Sequence, residues 1–232
     1  LGLILQVFFS LPETNIGRKK PIKALVRSYL ALCCLALFWT YCIVMAFGIG
    51  GFLVFVNGIT LVAAGEFGAN EATTSILTGS ITCGFMFGSC LSGRMSLSHS
   101  LNRMILYGRG FGTIGLAISF TLLLLGYKDL SVVLLGALSV GVGNGLATPS
   151  ASAAVMNVRR ELSGSASGLS GCLIVVIGAL VTSLTGIFMQ IHATSLMLIG
   201  LMLSITATGL GFAIWAALQN KPDETTEVSL DN

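Results

Sequence analysis

The sequence predicts an all-α integral membrane protein with six transmembrane helices. Three observations carry the prediction. Of 232 residues, 54% are hydrophobic and only 9% charged, where a soluble domain has about a quarter charged. The apolar residues fall into six runs, each near the roughly 20 residues that a bilayer core requires. Lys and Arg are confined to alternate connections, eleven on one side against Lys128 alone on the other. That asymmetry follows the positive-inside rule, and one misplaced span would scramble it.

In chain order, residues 1–11 are too short to span and have no basic residues before them, so they are not a signal peptide. They read as the tail of a preceding transmembrane helix. Pro12-Glu13-Thr14 ends that run. Residues 12–37 form a basic cytoplasmic linker and interfacial approach, with Arg18, Lys19, Lys20, Lys23 and Arg27. The six-helix domain occupies residues 38–218. Its spans are expected at Phe38–Leu61, Thr74–Leu91, Leu106–Tyr127, Leu130–Met156, Leu162–Ile191 and Ser195–Leu218. Arg109 falls in the first turns of the third span, where a long cationic side chain snorkels outward. No Asp, Glu, Lys or Arg then lies mid-span, so any ion-coupling carboxylate is expected in an upstream segment. Residues 219–232 read as a polar cytoplasmic tail.

The most unusual stretch is Gly141-Val142-Gly143-Asn144-Gly145-Leu146-Ala147-Thr148-Pro149. Each glycine costs about 1 kcal/mol against Ala in a helix, and Pro149 frees the carbonyl of Gly145. Two readings stand side by side. One is a weakened, polar helix centre on a substrate path, with Asn144 in the cavity wall and Gly141, Gly145 and Pro149 as a hinge. The other is close helix packing through glycine with a harmless kink. Tyr41, Met45, Gly48, Phe52 and Phe55 recur at helical spacing, and suit either an apolar ligand wall or core packing. Gly84/Gly88, Gly141/Gly145 and Gly164/Gly168 are small-xxx-small pairs of the kind that lets helices approach closely.

Other patterns carry less. Gly110-Phe111-Gly112-Thr113-Ile114-Gly115 has dinucleotide-like spacing, but no strand precedes it. The six cysteines make no Cys-x-x-Cys pair and read as small apolar fillers, so neither a metal nor a cofactor is expected. The modest net charge of +3 offers no nucleic-acid surface. Gly168-Leu169-Ser170-Gly171 resembles the nucleophile motif of rhomboid intramembrane proteases, which would make Ser170 a nucleophile. Its partner would be His192 or His99. His192 is 22 residues further on, roughly 33 Å along a helix, and His99 lies in a cytoplasmic loop.

The chain most resembles the C-terminal half of a major facilitator superfamily transporter, in particular the bacterial bicyclomycin/chloramphenicol-resistance (Bcr/CflA) drug-export branch. Leu11-Pro12-Glu13-Thr14 resembles the close of the family's sixth helix, and Pro149-Ser150-Ala151-Ser152-Ala153 its tenth. Gly164-Ser165-Ala166-Ser167-Gly168-Leu169-Ser170-Gly171 resembles the start of the eleventh. There are departures: Gly93 stands where the family has an acidic residue before Arg94, and Asn57-Gly58 where it has a proline. The resemblance implies helices seven to twelve of a twelve-helix fold in the bacterial inner membrane. It implies proton-coupled, alternating-access efflux of small amphipathic drug-like molecules. The partners implied are the bilayer, a small-molecule substrate and the missing N-terminal six-helix half. Cavity residues are then expected at Tyr41, Met45, Phe52, Phe55, Asn57 and Asn144. Arg94 and Arg103, on a cytoplasmic loop, are expected to gate. A transporter half without activity of its own is the remaining alternative.

Overall fold

The computed structural model describes residues 22–191 and 193–219. The expected helix tail at 1–11, the first part of the basic linker, His192 and tail residues 220–232 lie outside the described residues. Among the described residues seven helices follow one another: α1 (Ile22–Cys33), α2 (Ala36–Gly65), α3 (Glu71–Met95), α4 (Leu101–Leu124), α5 (Leu130–Asn157), α6 (Ser163–Ile191) and α7 (Ser195–Gln219). A 3₁₀ turn, Arg160–Leu162, precedes α6, and no strand occurs among the described residues. Helices α2 to α7 are each long and apolar enough to cross a membrane. The 12-residue α1 is too short. Trp39 Nε1 donates to the carbonyl of Cys33 at 2.8 Å, satisfying one acceptor that the end of α1 leaves open.

Several helix ends lie beyond or short of the apolar runs, for local reasons. Asn70 caps α3, accepting from the Thr73 N–H at 2.9 Å. Glu71 sits in the first turn and Arg94 in the last, the signs that the helix dipole favours, so neither charge excludes helix. At the far end of α4 the chain turns at Gly126, with φ of 90°. The N–H groups of Gly126 and Tyr127 donate back to Leu123 and Leu122, a Schellman closure that ends the helix before Tyr127. The start of α4 at Leu101 instead of Leu106 has a larger consequence, since it places Arg109 more than two turns inside.

Helix α5 lies between α3 and α4. Helix α2 packs on α6 and α7, α4 packs on α7, and α2 meets α5. Exchanging α2, α3, α4 for α5, α6, α7 maps these contacts onto themselves: α3–α5 becomes α6–α2, α4–α5 becomes α7–α2, and the other two pairs are their own images. A triple of spans crosses an odd number of times, so the second triple enters from the opposite face, the arrangement of an inverted repeat. Helices α2 and α5, which correspond under the exchange, are also the central ones: 61% of each core window is buried, against at most 33% in the other four.

The alternating glycines of α5 face two neighbours. At about 3.6 residues per turn, Gly141 and Gly145 share one side and Gly143 the other. A Cβ at Gly141 would overlap the carbonyl oxygen of Ile81 on α3, one at Gly145 that of Phe85, and one at Gly143 that of Gly108 on α4. The α3 side is reciprocal, because Gly84 and Gly88 abut the backbone of Leu138 and Val142. Two apolar clusters fill the bundle. One joins Val54–Ala63, Leu116, Val132–Val140 and Leu198–Met202. The other joins Phe38–Met45, Ile105, Ala151–Val155 and Ala213–Ala216.

Candidate functional site

Between these two clusters lies a polar layer. On α2 the gap is at Gly48, on α5 at Asn144, on α7 at Thr206, and the Arg109 head on α4 reaches the same level. Arg109 is 3% exposed. Its Nη1 donates to Asn144 Oδ1 at 2.6 Å and its Nη2 to the Val44 carbonyl at 2.8 Å. Asn144, 5% exposed, returns a bond from Nδ2 to the Gly48 carbonyl at 3.0 Å. The layer therefore ties α2, α4 and α5 together. A Cβ at Gly48 would overlap the guanidinium, so any other residue there would displace Arg109 from this position. Arg109 Nε has no hydrogen-bond partner among the described residues.

This corrects two expectations. Arg109 does not snorkel to the surface, and one span does hold a charge well inside it. A charged group at mid-bilayer costs about 2.5–3.5 kcal/mol even on insertion scales. Hydrogen bonds to a charged donor return about 1.5–3 kcal/mol each, so the two that Arg109 makes balance much of that cost. The basic count on the Lys/Arg-rich side falls from eleven to ten against one, and the asymmetry survives. Arg109 was hidden from sequence reasoning by the late start assigned to its helix. Ser100, a residue type favoured at helix N-caps and the N-cap here, was the available signal.

A cleft of about 300 Å³ opens against the polar layer, with Gly48, Phe52, Phe85, Asn144 and Thr148 in its lining. Of the residues expected in a cavity, Phe52 and Asn144 meet there. Tyr41, Met45 and Phe55 are buried in the apolar clusters instead. The Tyr41 hydroxyl donates to Asn102 Oδ1 at 2.7 Å, in a separate hollow nearer the α4 N-terminus. Asn57 is exposed and donates to its own helix at Leu53 O. The stripe at helical spacing thus divides between core and cleft, because the cleft touches only one turn of α2.

Helix α5 runs unbroken past Pro149, which is exposed. The carbonyl that Pro149 frees, that of Gly145, accepts from Ser89 Oγ of α3 at 3.4 Å. The next carbonyl, that of Leu146, accepts at 3.2 Å from Ser92 Oγ, about one turn further along α3. Arg94 and Arg103 are both exposed. Arg94 lies in the last turn of α3, but Arg103 lies in the first turn of α4, the end where the dipole disfavours a cation. The helix dipole therefore favours Arg94 where it lies and opposes Arg103. Nothing lies within 4 Å of a Cβ at Gly164, and only Tyr29 Oη, at 4.0 Å, meets one at Gly168. No neighbouring helix backbone comes within 4 Å of either position, so the pair is not a close-approach device among the described residues. All six cysteines are free, and five are exposed. Only Cys42 fills the interior, which corrects the reading of all six as fillers.

Ser170 is buried and spends its hydroxyl on the Ser167 carbonyl at 3.0 Å. His99 packs edge-on against Tyr107. Among the described residues no group of three His, Cys, Asp or Glu side chains is placed to hold a metal. A scan of family models gives no match to this chain, and a search of curated proteins finds none similar to it.

The opposite end of the bundle has its own polar knot. Glu66, at the C-cap of α2, accepts from the backbone N–H of Ser195, the first residue of α7. It also lies 3.9 Å from Lys128 Nζ. One carboxylate thereby joins three connections on the face away from the basic loops.

Proposed function

We propose that the chain is one half of a secondary active transporter of the major facilitator type, working by alternating access. The observation that carries the reading is the packing, in which the main helix-to-helix contacts are preserved when the two triples of helices are interchanged. Transporters built from inverted repeats bind substrate near mid-bilayer where the repeats meet. Here the cleft lies against α2 and α5, the corresponding central helices, beside the polar layer. The resemblance supplies the remainder of the proposal. The chain provides helices seven to twelve of a twelve-helix protein in a bacterial inner membrane. The basic loops are cytoplasmic, and the function is proton-coupled efflux of small amphipathic molecules. Arg94 acts at the cytoplasmic gate, and Gly141 to Pro149 form the moving part of α5.

The test is transport by the full-length protein reconstituted in sealed vesicles with an imposed pH gradient. Accumulation of a fluorescent amphipathic substrate should follow the gradient and collapse when a protonophore is added. Accumulation indifferent to the gradient would remove proton coupling. A rate equal to that of protein-free vesicles would remove transport altogether.

A further inference from the structure

We infer that the cleft between α2, α3 and α5 takes a small, largely apolar organic anion, held by the Asn144 amide with the Arg109 guanidinium behind it. The inference rests on the transporter reading only in treating the cleft as a small-molecule site.

Charge balance is the starting point. A guanidinium stays protonated in proteins, and the two oxygens that Arg109 meets, on Asn144 and Val44, are neutral. The four described carboxylates all lie at helix ends: Glu66 at the C-cap of α2, Glu71 in the first turn of α3, Asp129 at the N-cap of α5, and Glu161 in the 3₁₀ turn. None is available as a counterion in the layer. The polar layer therefore carries a full positive charge inside an apolar bundle, and the Arg109 Nε–H is buried with no acceptor among the described residues.

The wall between that charge and the cleft is thin. Gly48 and Asn144 line the cleft and are also two of the residues that the guanidinium touches. Only a glycine backbone and one amide intervene. Of the two hydrogens on Asn144 Nδ2, one goes to the Gly48 carbonyl, and the second has no partner among the described residues. Arg109 draws on the Oδ1 of the same amide, and such chained hydrogen bonds strengthen the remaining donor. The other lining residues are the apolar Ile49, Phe52 and Phe85 and the two hydroxyl-bearing residues Thr82 and Thr148, none of them charged, and a largely low-dielectric surround makes a nearby unit charge count for more. The volume of about 300 Å³ is at the small end of ligand sites. A compact apolar body with one anionic acceptor fits these features, and an amphipathic cation is opposed by them.

The experiment measures equilibrium binding to the purified full-length protein in nanodiscs of zwitterionic lipid, with empty discs subtracted. The probes share one apolar body and differ in charge: naphthoate, naphthamide and naphthylmethylammonium. Naphthoate should bind about tenfold tighter than the ammonium probe, with the amide between them, the order that one fixed charge imposes. Asn144→Asp places a carboxylate beside Arg109 and should abolish that order. Equal binding of all three by the unsubstituted protein would overturn the inference, with no variant needed. An anion preference that persists unchanged in Asn144→Asp would also overturn it. Binding needs no gradient, so a protein that binds naphthoate and moves nothing refutes transport alone. A protein that exports cations as readily as anions refutes this inference alone.

Discussion

Arg109 and Asn144 act as a pair, and each is costly without the other. Replacing Arg109 with Met leaves Asn144 Oδ1 buried without its donor, a cost of about 1–3 kcal/mol. Asn144→Leu leaves the guanidinium with one fewer acceptor. In the double variant neither orphan remains. The expected result is that Arg109→Met with Asn144→Leu unfolds well above the midpoint that the two single losses would sum to. The coupling should be about 0.5–3 kcal/mol, the range for residues in one network. Unfolding of the four proteins in detergent reads it, and strict additivity would show that the hydrogen bond carries no energy. Glu66 makes a second residue-level case. Glu66→Gln removes the negative charge at the N-terminus of α7, worth about 0.3–1 kcal/mol, and should speed amide hydrogen exchange in the first turn of α7. Unchanged exchange there would mean that the contact with Ser195 does not hold the helix end.

At the scale of the element, α5 is decided by where its glycines point. Gly88→Val drives a branched side chain into the Val142 carbonyl and the Leu146 N–H, and backbone cannot yield as a side-chain tip does. Overpacking of this kind costs roughly 1–3 kcal/mol or more. Gly79→Ala, also on α3, meets nothing within 4 Å and should be neutral or gain up to about 1 kcal/mol of helix propensity. Midpoints of thermal unfolding in detergent should separate the two clearly; equal losses would contradict the packing described for α3 and α5. Residues 141–149 combine close packing with a polar side chain at the cleft. The glycines are packing devices, and Asn144 does face the cleft, but its amide is already engaged with Arg109 and Gly48.

For the whole molecule, the prediction is topological. Lys128 and Glu71 lie at the ends of the bundle opposite Arg94 and Arg160. In a variant with the native cysteines replaced by alanine, cysteines at positions 71 and 128 should be labelled from outside the cell. Cysteines at 96 and 160 should be labelled only from within. The reverse pattern would sink the orientation. Six spans were legible in the sequence because a bilayer leaves little choice: every apolar run of sufficient length must close its hydrogen bonds as helix. The boundaries were less legible. Charged residues such as Glu71 and Arg94 tolerate helix ends, and hydropathy alone truncates them there.

What the sequence determined by itself was the membrane class, the number of spans and the uneven placement of Lys and Arg, because these follow from composition and one-dimensional length. It also marked Asn144 and the α5 glycines as unusual. The tertiary structure decided which helix each glycine meets, which aromatic residues line the cleft, and above all where the guanidinium of Arg109 goes. Those are questions of distance between segments 35 to 96 residues apart in the chain. A side chain long enough to snorkel in either direction is placed by the partners that meet it, not by its position in its own helix. Asn144, Val44 and the missing side chain of Gly48 draw Arg109 inward.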